Sequence, residues 1–217
     1  LWTATETPNV TINPQTFNDG VVRTIISPQT LAVVAGQNSV IFTVEVDASR
    51  PHDLHLAPAA AVDIFSTQVF ETEAPHGGSL TVVASYVPQG TVLLVASGDC
   101  MFPGSAGVEV DLHLSLSIKP AAGGRIDLPD VVHKILDEQA LGDCDGRLRS
   151  IPVGTINGVA YQVATATPIH VHAGDQIRIT TNIEVYLGAG SGGVARATFS
   201  PRPLGLNVPM VMAKIDS

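Results

Sequence analysis

One phrase occurs twice in this sequence and limits what the chain can fold into. Residues 31–46 read Leu-Ala-Val-Val-Ala-Gly-Gln-Asn-Ser-Val-Ile-Phe-Thr-Val-Glu-Val, and residues 169–185 read Ile-His-Val-His-Ala-Gly-Asp-Gln-Ile-Arg-Ile-Thr-Thr-Asn-Ile-Glu-Val. Each copy follows a proline, Pro28 or Pro168, and in each Ala-Gly separates two runs of alternating apolar residues. Successive strand side chains face opposite ways, and glycine accepts backbone angles that other residues resist. The phrase therefore predicts paired antiparallel strands with one buried face.

The rest of the chain agrees. Val108, Val110, Leu112, Leu114, Leu116 and Ile118 alternate with Glu109, Asp111, His113, Ser115 and Ser117, a strand with one core face and one wet face. Leu80–Tyr86 and Thr91–Ala96 read as a pair turned at Pro88-Gln89-Gly90, and Ile183–Leu187 and Val194–Ser200 as a hairpin across the tip from Gly188 to Gly193. One segment has a helical spacing. Asp127 offers an N-cap, Pro129 a first-turn proline, and Val131, Val132, Ile135, Leu136 and Gln139 share a side before Gly142. The expected fold is all-β: a single antiparallel β-sandwich of jelly-roll type, about a dozen strands, with one short helix at about 128–140. Residues 1–20, punctuated by Pro8 and Pro14, read as an extended N-terminal arm on a sandwich domain of residues 21–217.

A chain of 217 residues with 45% apolar content buries a core without metals or crosslinks. Only 14% of the residues are charged, so much of the surface is neutral, a property shared with interface centres. A net charge of −9 with 11 Lys and Arg argues against nucleic acid, whose recognition rests on neutralising phosphates. No apolar run reaches the roughly 20 residues that span a bilayer, so no membrane insertion is expected. The start at Leu1-Trp2-Thr3 is neither an initiator methionine nor a signal peptide, as expected of a chain that begins after processing or trimming. Cys100 and Cys144 both follow Gly-Asp; they are either one disulfide in an oxidising compartment or two buried thiols. Asn9-Val10-Thr11 is a glycosylation sequon.

Signatures of chemistry are sparse. His170 and His172 lie two apart on a strand and point the same way, a geometry that can offer two imidazoles to a metal. The run His170-Val171-His172-Ala173-Gly174-Asp175 resembles fragments of cupin and cupredoxin strands, where a ligand pair precedes a Gly-Asp turn; the downstream glutamate and histidine of cupins have no counterpart. That resemblance implies a metal at His170 and His172. Asp143-Cys144-Asp145-Gly146 has two carboxylates but no later glutamate, the composition of a plain turn. No nucleophile elbow, phosphate loop or zincin motif occurs.

With no cofactor called for, the chain reads as a non-enzymatic structural subunit that assembles with copies of itself, in a virion shell, a virion decoration or an extracellular fibre. The arms would lie along a neighbour's sheet edge through Thr3, Thr5, Val10 and Ile12 at one end, and Val208, Met210 and Met212 at the other. The alternative is a carbohydrate- or receptor-binding sandwich using loops at one end, with His52, Asp53, His55, His76 and Ser191 at their tips. Either reading places the protein outside the cell or on a virion surface.

Overall fold

The computed structural model describes residues 3–4, 9–30, 38–49, 58–86, 90–97, 103–142, 149–156, 161–199 and 210–216. Every regular element among them is a strand: β1 (Thr3–Ala4), β2 (Asn9–Phe17), β3 (Val21–Thr30), β4 (Asn38–Asp47), β5 (Ala59–Glu73), β6 (Gly78–Tyr86), β7 (Gly90–Ala96) and β8 (Ser105–Lys119). There follow β9 (Ile126–Asp127), β10 (Val131–Leu141), β11 (Arg149–Ile156), β12 (Tyr161–Ala164), β13 (Ile169–Val171), β14 (Gln176–Gly190), β15 (Gly193–Phe199) and β16 (Met210–Asp216). No helix is long and apolar enough to cross a membrane among the described residues.

Seven strands form one sheet in the order β1, β5, β14, β8, β10, with β2 also on β5 and β9 also on β8. Its three central strands are 15 residues each and alternate between buried and partly exposed positions along most of their length. Val62, Ile64, Val110, Leu112, Ile183, Val185 and Leu187 supply the inner face. The second layer consists of two shorter sheets. One has five strands in the order β11, β7, β15, β4, β3; the other has four, with β12 and β13 on one edge of β6 and β16 on the other. Val44, Val46, Leu80, Val82 and Leu94 from this layer join the same core. The chain passes from Glu73 at the end of β5 to β6, and from Gly190 at the end of β14 to β15. The four-stranded sheet therefore covers the Glu73, Lys119 and Gln176 half of the long sheet, and the five-stranded sheet the Ala59, Ser105 and Gly190 half. Chain-consecutive strands repeatedly change layer, as in a jelly roll.

That crossing corrects three expected pairings. The runs flanking Gly174 are β13 on β6 and β14 between β5 and β8, in different layers. β14 and β15 likewise lie in different layers, and β6 and β7 lie in different sheets of the second layer. Gly174, at φ 85°, turns the chain between layers and does not close a hairpin. The expected helix at 128–140 is also corrected, because residues 131–141 pair antiparallel with β8. A bulge between Lys134 and Leu136 shifts the alternation, so Val131, Ile135, Leu136 and Ala140 turn at least partly inward. At this edge of the sheet His133 and Glu138 stay exposed, and the apolar residues recur at a spacing that imitates a helix.

One end of the sandwich is tied by Asp175, which is 4% exposed. Its Oδ2 accepts from the His172 backbone N–H at 2.8 Å and its Oδ1 from that of Ala121 at 3.1 Å, while its carbonyl accepts from the N–H of Ala74 at 2.8 Å. The His172 N–H, chiefly, and then that of Ala121 hold this carboxyl below the ordinary aspartate range against the opposing effect of burial. Asp175→Ala is expected to lower the melting temperature by about 5–10 °C at neutral pH. Because the folded-state pKa is depressed, the stabilisation is complete above the ordinary aspartate value of about 3.9 and is lost as pH falls through the lower folded value. Thermal melts of both proteins from pH 7 to pH 2 should show the gap closing at the acid end.

Candidate functional site

The outer face of the seven-stranded sheet has no second layer among the described residues, and the strand register decides what it displays. Residues opposite one another form rows across β2, β5, β14, β8 and β10. At the Gly190 end the rows are Phe17, Ala59, Gly190, Ser105, Leu141 and then Gln15, Ala61, Gly188, Gly107, Gln139. The next two are Asn13, Asp63, Tyr186, Glu109, Asp137 and Thr11, Phe65, Glu184, Asp111, Lys134. The first two rows have a floor of glycine, alanine and serine between taller edges. They form an open groove of about 560 Å³, bordered by Gln15 and Phe17 on one side, Gln139 on the other and Tyr186 at its inner end.

Tyr186 is held by the glycine beside it. A Cβ at Gly188 would lie 2.8 Å from the Tyr186 Oη and 3.2 Å from its Cε1 and Cζ, so the ring lies along the strand over Gly188. The ring is 39% exposed and Phe17 is 64% exposed, so two aromatic side chains stand in water at opposite ends of the groove. Large apolar groups left to solvent in this way mark contact surfaces when a concave site joins them.

Beyond Tyr186 a second cavity of about 280 Å³ is walled by Asp63, Glu109, Asp111, Glu184 and Tyr186 itself. Basic side chains stand at its rim. Lys134 Nζ is 2.6 Å from Glu109 Oε1 and 2.9 Å from Asp137 Oδ2, an arrangement that raises the lysine pKa. His113 bridges Asp130, at 3.0 Å from Nδ1, and Glu184, at 3.1 Å from Nε2. Asp111 lies deepest: its Oδ1 is shielded from solvent and accepts no hydrogen bond. Burial, and next the charge of Glu109, push its carboxyl above the ordinary aspartate range, although Lys134 and His113 oppose this.

The expected site residues are dispersed. Thr3, Val10 and Ile12 belong to β1 and β2, which pair with the chain's own β5 through Thr3↔Glu71, Val10↔Ser66 and Ile12↔Ile64. Met210 and Met212 pair with Ser85 and Val83 of β6, and Met212 is exposed. Thr5 and Val208, together with His52, Asp53, His55, Cys100 and Cys144, lie outside the described residues. His76 and Ser191 do not share an end, as the loop reading required: Ser191 donates its N–H to the carbonyl of Pro58 before β5, and His76 follows Glu73 after it. The 15 residues of β5 separate them, roughly 50 Å of strand. His170 and His172 stand edge to face with ring centroids 5.1 Å apart, and His172 Nδ1 is 3.7 Å from Asp175 Oδ2. Among the described residues no group of three His, Cys, Asp or Glu side chains is placed to hold a metal.

No family model matches the sequence, and no curated protein matches it. Among solved structures, the enzymatically active domain of bacteriophage CBA120 tailspike protein 4 is similar over 91% of this chain at 12% identity, with a TM-score of 0.24. This chain spans 19% of the length of that one. The carbohydrate-binding module TmCBM61, in complex with β-1,4-galactotriose, is similar over 92% of this chain and 90% of its own at 11% identity, with a TM-score of 0.24.

Sequence reasoning placed Glu109, Asp111 and His113 on a wet strand face but missed Tyr186 and Phe17. The available signal for Tyr186 was its spacing to Gly188 and Gly190, every second residue on one face. The geometry makes two predictions. Gly188→Ala should tilt Tyr186 off the floor and leave the fold intact, seen as a change in tyrosine fluorescence at nearly constant melting temperature. Asp111→Asn should raise the melting temperature by a few degrees at pH 7, since a raised folded-state pKa means that ionised Asp111 opposes folding there. The gain should vanish below about pH 4, where the aspartate is protonated in both folded and unfolded chains.

Proposed function

We propose that this protein is a non-enzymatic glycan-binding β-sandwich module whose site is the outer face of the seven-stranded sheet around Tyr186. The observation that carries this reading is the Tyr186 ring lying over Gly188 with Asp63 and Glu109 opposite it on the neighbouring strands. A pyranose has an apolar C–H face and a rim of hydroxyls. The face fits an exposed aromatic plane, and the hydroxyls donate to carboxylates, which accept without competing donors. Gln15 and Gln139 add amides that both donate and accept across the groove. The floor of glycine, alanine and serine leaves room for a chain of sugar units to lie along it. An extracellular or virion-surface location is where such a module meets its ligands.

The test is a glycan array probed with the whole chain, followed by titration of the best ligand. Tyr186→Ala should weaken that ligand about tenfold or more at unchanged melting temperature. Gly107→Val should also weaken it by filling the floor: a Cβ there meets only the Glu138 carbonyl, at 3.7 Å, so the strand accepts the larger residue. Retention of no glycan, or full affinity in Tyr186→Ala, would overturn the reading.

Self-assembly through the N-terminal arm is a second reading, favoured by the register of β1 and β2 along one side of β5. The arm of a neighbouring copy would find the same register there. Light scattering at two concentrations tests it: a multiple of 22.6 kDa supports arm exchange, and a constant monomer mass removes it.

A further inference from the structure

Resting on the glycan reading, we infer that Phe17 is a second aromatic subsite and that the ligand is an extended, uncharged oligosaccharide reaching from Phe17 to Tyr186. Three observations carry this. First, Phe17 borders the same groove as Tyr186 and stands 64% exposed. A phenyl ring in water gains only when an apolar surface covers it, and the C–H face of a pyranose is such a surface. Second, the fold fixes the ring there. Phe17 ends β2 opposite Ala59, and its carbonyl accepts the N–H of Gly20 at 3.2 Å. Between them Asn18 and Asp19 hold φ of 47° and 63°, left-handed angles that L side chains resist. A Cβ at Gly20 would overlap the Ala59 carbonyl, so this turn packs directly on a strand that floors the groove. Little has to be ordered when a ligand meets a ring held in this way.

Third, no side chain lining the groove is charged. The row beyond it carries Asp63, Glu109 and Asp137, and Lys134 and His113 are already paired with carboxylates. A sulfate or uronic acid would meet negative charge without a counter-ion among the described residues, whereas Gln15, Gln139 and Ser105 suit neutral hydroxyls. Spacing sets the size. Phe17 and Tyr186 lie two strands apart and four residues apart in register, roughly 17 Å between backbones. The Tyr186 ring leans over Gly188, toward the row of Phe17, and the gap still exceeds one sugar ring. A single unit covers one aromatic; a chain of several covers both.

The probes are β-1,4-linked glucose, galactose and mannose oligomers of one to six units, titrated by calorimetry into the whole chain. Affinity in the bound series should climb with length and level off once both rings are covered, the hexamer binding about tenfold or more tightly than the single sugar. Phe17→Ala should cost the hexamer about fivefold and leave the single sugar unchanged, whereas Tyr186→Ala weakens every length. Phe17→Tyr should keep the hexamer affinity, and both Phe17 variants should melt at the wild-type temperature. The hexamer oxidised at C6 to uronic acids should bind about tenfold or more weakly than its parent. Equal affinity at all lengths, full hexamer affinity in Phe17→Ala, or an oxidised hexamer bound as tightly as its parent overturns the inference and leaves the glycan reading standing; binding of no oligomer overturns both. Light scattering adds one arm. An oligomer that Phe17→Ala converts to a monomer would make the ring a contact between copies, and the inference would fall.

Discussion

The register of β14 between β5 and β8 is the constraint from which the rest of this structure follows. All 15 of its residues have a partner on each neighbour. Ile177, Ile179, Ile183, Val185 and Leu187 thereby point into the core. A slip of one residue would turn this set to solvent and drive Arg178, Glu184 and Tyr186 inward. Burying an unpaired carboxylate is prohibitive, so the slipped register has no stable alternative packing. The apolar inner set is what holds the outer set in place, and the outer set is the site.

The same register sorts the outer face by chemistry. Glycine, alanine and serine occupy the rows nearest Gly190, and carboxylates occupy the rows beyond Tyr186. In a chain only 14% charged, acids so close together need a reason to stay folded. Part of that reason is local: Lys134 and His113 stand at the rim, and Asp111 answers desolvation and the nearby Glu109 by holding its proton more tightly. A contrasting arrangement lies on the five-stranded sheet, where Glu45 sits between Arg23 and Arg196. Hydrogen bonding from Arg196, chiefly, with Arg23 adding to it, lowers its carboxyl below the ordinary range. There the charges are matched strand by strand; around Asp111 they are not.

The strands were legible in the sequence because burial imposes a period of two that the residues obey, as along Val108 to Ile118. Their partners were not. A strand that folds back as a hairpin and one that crosses to the opposite layer require the same alternation, so β13 with β14, and β14 with β15, read as pairs although each spans two layers. The misread helix has a similar cause, since a bulge at Ile135 inserts one residue into a period of two and produces helical spacing. Of the site, the acidic wet face of β8 was readable from one strand alone. Tyr186 and Phe17 became significant only through rows contributed by five strands distant in sequence, which no local pattern reports.

Placing recognition on the sheet, and not on its end loops, has an energetic logic. Both ends are closed by backbone hydrogen bonds: Asp175 ties one, and at the other Gly192 donates to Ala48, Ser97 to Gly192 and Ala48 to Gly193. The face between them is a grid. Groups two residues apart on a strand stand about 7 Å apart, and neighbouring strands about 4.8 Å. Asp63 and Glu109 flank Tyr186 across the strands, while Glu184 and Gly188 flank it along its own. Little of that grid must be ordered when a ligand arrives, so the entropy of forming the site is absorbed in folding. A grid of this stiffness cannot mould itself to its partner. The ligand must already carry an apolar ring face and donors at those spacings, which is why the chemistry of the rows decides what binds.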